Sequence, residues 1–93
     1  MNTPTTNQVI LELANLGRQL DAKQVEIRDL DDAAVRARSR YEVAYARAFI
    51  AATGAEGLRK QTAILETETQ KLDVEIADQV LRAARESIRV LRD

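Results

Sequence analysis

Five cations, Arg36, Arg40, Arg47, Arg59 and Lys60, share one stretch of the chain with three aromatic residues, Tyr41, Tyr45 and Phe49. A guanidinium offers fork geometry to phosphate oxygens, and an aromatic face accepts an unpaired base by stacking. These are the residue types of a single-stranded nucleic-acid site. In that reading Arg36, Arg40, Arg47, Arg59 and Lys60 contact phosphates, and Tyr41 and Tyr45 stack on bases beside Arg38, Arg40 and Arg47. A second reading uses the same residues differently. Tyr41, Tyr45 and Phe49 recur every four residues, so on a helix they share a face and fill the wide end of a helical core with their hydroxyls at its edge. The arginines then pair with Glu66, Glu68, Glu75 and Asp78 on a facing helix.

Two further charged clusters invite the same comparison. Arg82, Arg85, Arg89 and Arg92 are spaced 3-4-3. They complement the dipole at a helix C-terminus, with Asp21, Glu26 and Asp29 as expected neighbours, or line a rim in an oligomer. The acidic run Asp29, Asp31, Asp32 lacks the alternating ligands and turn glycine of a calcium loop and reads as solvated helix surface. No metal site and no cofactor are expected. With no Cys and no His, the chain lacks disulfide and thiolate chemistry and the usual general base at neutral pH. No nucleophile sits beside a base and no glycine-rich loop could cradle a phosphate. The sequence therefore predicts a non-enzyme with no small-molecule substrate.

The elements that position these residues follow from a heptad pattern. From Val9 the seam runs through Leu13, Leu16, Leu20, Lys23, Ile27, Leu30, Ala34, Ala37, Tyr41, Ala44, Ala48 and Ala51, spaced 4-3-4-3. A 3.5-residue repeat holds one face of a helix against another helix. Thr5 and Gln8 fit a capping box. Residues 1–5 form a flexible tail, and helix 1 covers about 6–53, some 70 Å at ~1.5 Å per residue. Gly17 weakens the helix by about 1 kcal/mol, but the seam keeps its phase across it, so the helix is expected to continue. Gly54-Ala55-Glu56-Gly57 is the turn, with Gly54 suited to the left-handed conformation that ends a helix. Helix 2 covers about 56–92. Its expected apolar positions are Leu58, Leu65, Leu72, Ile76, Val80, Ala84, Ile88 and Leu91, a looser seam than that of helix 1.

So short a turn makes the helices antiparallel. The expected fold is all-α: one domain, residues 6–93, built as an antiparallel two-helix hairpin that self-associates into a helical bundle, with a dimer favoured. In this register Tyr45 faces the region of Glu66, Leu30 that of Leu81, and Leu20 that of Leu91. Val9, Leu13 and Leu16 are then left without a partner in the chain. Val9, Leu13, Leu16, Leu20, Lys23 and Ile27 are the candidate oligomer interface. Lys23 either snorkels or selects register as a buried polar group.

Charge is distributed rather than biased. The net value is -1, but residues 33–60 are basic and residues 61–81 acidic, so the hairpin lays one block beside the other. No apolar run is long enough to span a membrane, and the N-terminus lacks the order of a signal peptide. A cytoplasmic location is expected.

Tyr41-Glu-Val-Ala-Tyr-Ala-Arg-Ala-Phe, Gly54, Arg59-Lys60, Glu75-Ile-Ala-Asp78 and Glu86-Ser-Ile-Arg-Val-Leu-Arg92 resemble a group of small helical proteins encoded by bacteriophages, especially actinobacterial ones. The order of features is loosely similar to that of phage recombination-mediator proteins. That resemblance implies an oligomeric helical adaptor in DNA recombination or replication, in the host cytoplasm, with single-stranded DNA or a recombination protein as partner. The alternative is a protein-interaction module with no nucleic-acid role: a host-protein inhibitor, an assembly chaperone or a secretion-type helical hairpin.

Overall fold

The structure, a computed structural model, describes residues 5–92. The first four residues, Asp93 and the side chain of Arg92 lie outside the described part. Three helices follow in order: α1 (Thr6–Ala51), α2 (Glu56–Glu66) and α3 (Glu68–Arg92). Among the described residues there is no strand, so the fold is all-α. The molecule measures 76 × 20 × 14 Å and has a radius of gyration of 22.1 Å. A globular chain of this length would have about 12 Å.

α1 begins where the sequence signals it. The Gln8 amide donates to Thr5 Oγ1 at 3.2 Å and the Thr5 amide donates to Gln8 Oε1 at 2.8 Å, so each side chain satisfies an orphan amide of the first turn. The helix passes through Gly17 without interruption. It stops at Ala51 because Ala52 turns extended, at ψ 151°, and Gly54 takes a φ of +103°. Side-chain contacts tie α2 and α3 to α1. Arg59 reaches the Phe49 carbonyl, Arg38 pairs with Asp78, and Arg85 pairs with Asp31.

The seam of α1 buries as its spacing predicts from Leu20 onward. Ala34, Ala37 and Ala48 are buried, and Leu20, Lys23, Ile27, Leu30, Tyr41 and Ala44 are half-buried. At the far end the half-buried residue is Ala52, while Ala51 is exposed. The Lys23 ammonium lies 3.1 Å from Glu26 on its own helix.

The second half corrects the expected pattern twice. It is not one helix, because Thr67 (φ -108°, ψ 16°) separates α2 from α3. The Thr67 hydroxyl donates to the Ala63 carbonyl at 2.6 Å, the back-bond by which Ser and Thr bend helices. Nor do Leu58, Leu65, Leu72, Ile76 and Val80 form the seam. They are exposed, Leu65 at 72%. The covered positions are Ala63, Thr67, Gln70, Val74, Ala77, Leu81, Ala84, Ile88 and Leu91, a strict 4-3 repeat. Only Ala84, Ile88 and Leu91 were in the expected set. Alanine at positions 63, 77 and 84 suits two helix backbones in close contact, which leave little room between them.

The two glycines make opposite predictions. A Cβ at Gly17 would meet nothing within 4 Å, so Gly17→Ala should raise unfolding stability by about 1 kcal/mol. At Gly54 the positive φ strains any side chain, and a Cβ would sit 3.0 Å from Leu58 Cδ2. Gly54→Ala should therefore lower stability by about 1–2 kcal/mol. Urea denaturation followed by circular dichroism reads both signs, and no gain from Gly17→Ala would mean that α1 is not helical there in solution.

Candidate functional site

The aromatic stripe forms a ladder. Tyr41 and Tyr45 stack with ring centroids 6.3 Å apart and planes 6° from parallel, and Tyr45 and Phe49 stack at 6.5 Å and 20°. All three rings are half-buried. Arg59 closes the ladder, its guanidinium 4.6 Å from the Phe49 ring centroid. It also donates to the Phe49 carbonyl from Nε at 3.3 Å and from a terminal nitrogen at 3.1 Å. That carbonyl is among the last of α1, which lack partners within the helix, and the last turn of α1 carries no cation of its own. Arg59 thus joins α2 to the end of α1 by a cation–π contact and a charge-assisted cap.

The other cations named from the sequence are exposed. Arg36 pairs along its own helix, Nε to Asp32 at 2.9 Å. Among the described residues, Arg40, Arg47 and Lys60 make no ion pair within 4.0 Å. Arg38, at 3.3 Å from Asp78, is the only arginine of residues 33–60 that reaches one of the four expected carboxylates. Of the later arginines, Arg85 meets Asp31 at 3.5 Å and Arg89 meets Glu86 at 3.7 Å, so the expected Asp21, Glu26 and Asp29 are not their partners.

Helix geometry separates the two halves of the nucleic-acid reading. Arg40 and Arg47 each immediately precede a seam residue, Tyr41 and Ala48, and so flank one edge of the seam. Tyr45 lies four residues after Tyr41 and Phe49 directly follows Ala48, which places both on the opposite edge at 100° per residue. The cation that shares the tyrosine edge is Arg38, which lines a shallow groove with Tyr41, Glu42, Lys71, Val74 and Glu75. The stacking residues and the Arg40/Arg47 row therefore do not converge.

Among the exposed apolar residues, two stripes stand out. One continues the α1 seam toward the N-terminus: Val9, Leu13 and Leu16 are 41%, 63% and 38% exposed. Sequence spacing singled these out, together with Leu20, Lys23 and Ile27, which α3 partly covers. The other is the outer stripe Leu58, Leu65, Leu72, Ile76 and Val80. Reading the sequence for one face per helix assigned that stripe to the core. The signal that would have separated it is the parallel 4-3 repeat that begins at Ala63 and continues through Val74, Ala77, Leu81, Ala84, Ile88 and Leu91. No group of His, Cys, Asp and Glu among the described residues could hold a metal ion. No described helix is long and apolar enough to cross a membrane.

Compared with protein-family models, with curated proteins and with solved structures, the chain has no match in any of the three.

Arg59→Gln removes the ring contact and weakens the cap, and should cost about 1–2 kcal/mol of stability. Arg40→Gln removes no ion pair among the described residues and should stay within about 0.5 kcal/mol. Equal losses for the two, measured by thermal unfolding, would deny Arg59 its structural role.

Proposed function

We propose that this chain is a non-catalytic helical adaptor that works by helix contact, with a second copy of itself as the first partner. Its unit is an antiparallel hairpin of α1 against α2 and α3. In this register each covered position on one arm stands level with a covered position on the other: Leu20 with Leu91, Leu30 with Leu81, Ala34 with Ala77, and Ala48 with Ala63. The observation that carries the proposal is the exposure of Val9, Leu13 and Leu16 in phase with the covered part of the same seam. Aliphatic side chains at this spacing form a ready contact line for another helix.

A second reading keeps the partner expected from the sequence, single-stranded DNA or a DNA-bound recombination protein. It is favoured by one observation, the absence of any ion pair at Arg40 and Arg47 among the described residues. It has less support than the first because Arg59 is engaged in structure and the tyrosines flank the other edge.

Sedimentation equilibrium at micromolar concentrations tests the first reading. The chain should self-associate, and Leu13→Glu with Leu16→Glu should weaken that association while leaving helicity unchanged. A monomer at every concentration would remove self-association from the proposal. Anisotropy of a labelled oligonucleotide at ~50 and ~200 mM salt tests the second, since phosphate-driven binding weakens by orders of magnitude over that range. Absence of binding at the lower salt would leave protein contact as the sole reading.

A further inference from the structure

One broad face of the molecule carries charges sorted by helix and apolar residues with nothing over them. The ion pairs Arg38–Asp78 and Arg85–Asp31 join residues on the same edge of the seam in both arms. The residues that immediately precede seam positions must then share the other edge. On α1, stepping back by sevens from the residue before Ala48, these are Arg47, Arg40, Ala33 and Glu26. On α2 and α3 they are Glu66, Asp73, Val80 and Ser87. Just outward of that edge lie Val43 and Ile50 on α1 and Ile76 on α3, all exposed. Toward the turn this face is thus basic and aliphatic along α1 and acidic and aliphatic along α2 and α3. Glu66 and Asp73 face Arg47 and Arg40 across the seam, yet no ion pair within 4.0 Å closes between them.

We infer that a second copy of the chain docks on this face as a parallel dimer, with α1 of each copy lying over α2 and α3 of the other. The inference rests on the self-association proposed above and specifies its surface and direction. A two-fold axis parallel to the helices brings the basic row of one copy onto the acidic row of its partner, twice per dimer, as isologous contacts require. It also seats Val43 and Ile50 against the exposed Ile76 and Val80 of the partner's α3. The other way to stack two such faces lays α1 on α1. It would oppose Arg40 and Arg47 to their own copies, and like charges in apposition suppress that arrangement. The favoured arrangement brings both N-terminal segments to one end. There Val9, Leu13 and Leu16 of the two copies lie side by side and cover one another. A single symmetry operation therefore accounts for the uncovered N-terminal seam and for the unbridged arginines.

The test uses the full chain and two charge-reversed variants. Arg40→Glu with Arg47→Glu, and separately Glu66→Lys with Asp73→Lys, should each weaken the dimer by roughly a hundredfold, with helicity retained. Mixed together, the two variants should form a heterodimer about as tight as the native dimer, because both contacts become complementary again. A spin label at Asn15→Cys, the only thiol in the chain, should report a short distance between copies. Labels at that end separated by most of the molecule's length would show opposed copies and overturn the inference. Dimers unaffected by either charge reversal would also overturn it, leaving self-association through the N-terminal seam alone. A native chain that stays monomeric would remove both.

Discussion

Two helical arms can share only one seam, and this constraint governs the rest of the molecule. Each arm buries a single stripe against the other. Among its buried residues alanine predominates: Ala34, Ala37, Ala48, Ala63 and Ala84 are buried beside Leu81 and Ile88, and no large side chain is fully buried. Hydrophobic stabilisation scales with apolar area removed from water, so an alanine seam yields little per layer. The long, thin shape, the stacked rings at the turn and the aliphatic residues left outside all follow from having no third layer to pack against. The aromatic ladder and Arg59 join the arms beside the turn.

Electrostatics divides the two edges of the seam. One edge carries Arg38–Asp78 and Arg85–Asp31, which cross between the arms. These groups are largely exposed, and such pairs contribute about 0–1 kcal/mol each. Their role is to set direction and register. The other edge presents a basic row on one arm and an acidic row on the other without closing a pair. The sorting of the linear sequence into alternating charge blocks thus becomes, in the folded chain, a difference between edges and between arms. The block pattern alone does not distinguish a self-neutralising hairpin from a surface that recognises another molecule.

Legibility differed sharply between the arms. In α1 the large and small seam residues fall on one heptad phase, so periodicity alone identified the covered face from Leu20 to Ala48. In α2 and α3 two phases compete. Leu58, Leu65 and Leu72 repeat every seven residues and outweigh Ala63, Thr67, Gln70 and Ala77 on any scale of hydrophobicity. The smaller set is nevertheless the inner one, since close approach of two backbones selects for size as well as polarity. The break at Thr67 was hidden for a related reason. A threonine within a helical pattern carries no boundary signal, and its hydroxyl bends the chain only when it bonds back to the Ala63 carbonyl.

The sequence by itself determined that the chain is helical, where α1 starts, that Gly54 turns it, and which face of α1 is covered. These features depend on local hydrogen bonding, on backbone conformation and on a single unambiguous period. Only the tertiary structure decided which of two stripes on the second arm lies inward. It also decided that Arg59 belongs to the turn, and that Arg40 and Arg47 flank a different edge from Tyr45 and Phe49. Those outcomes depend on the distance and rotation between two arms, and no property of either arm taken alone specifies them.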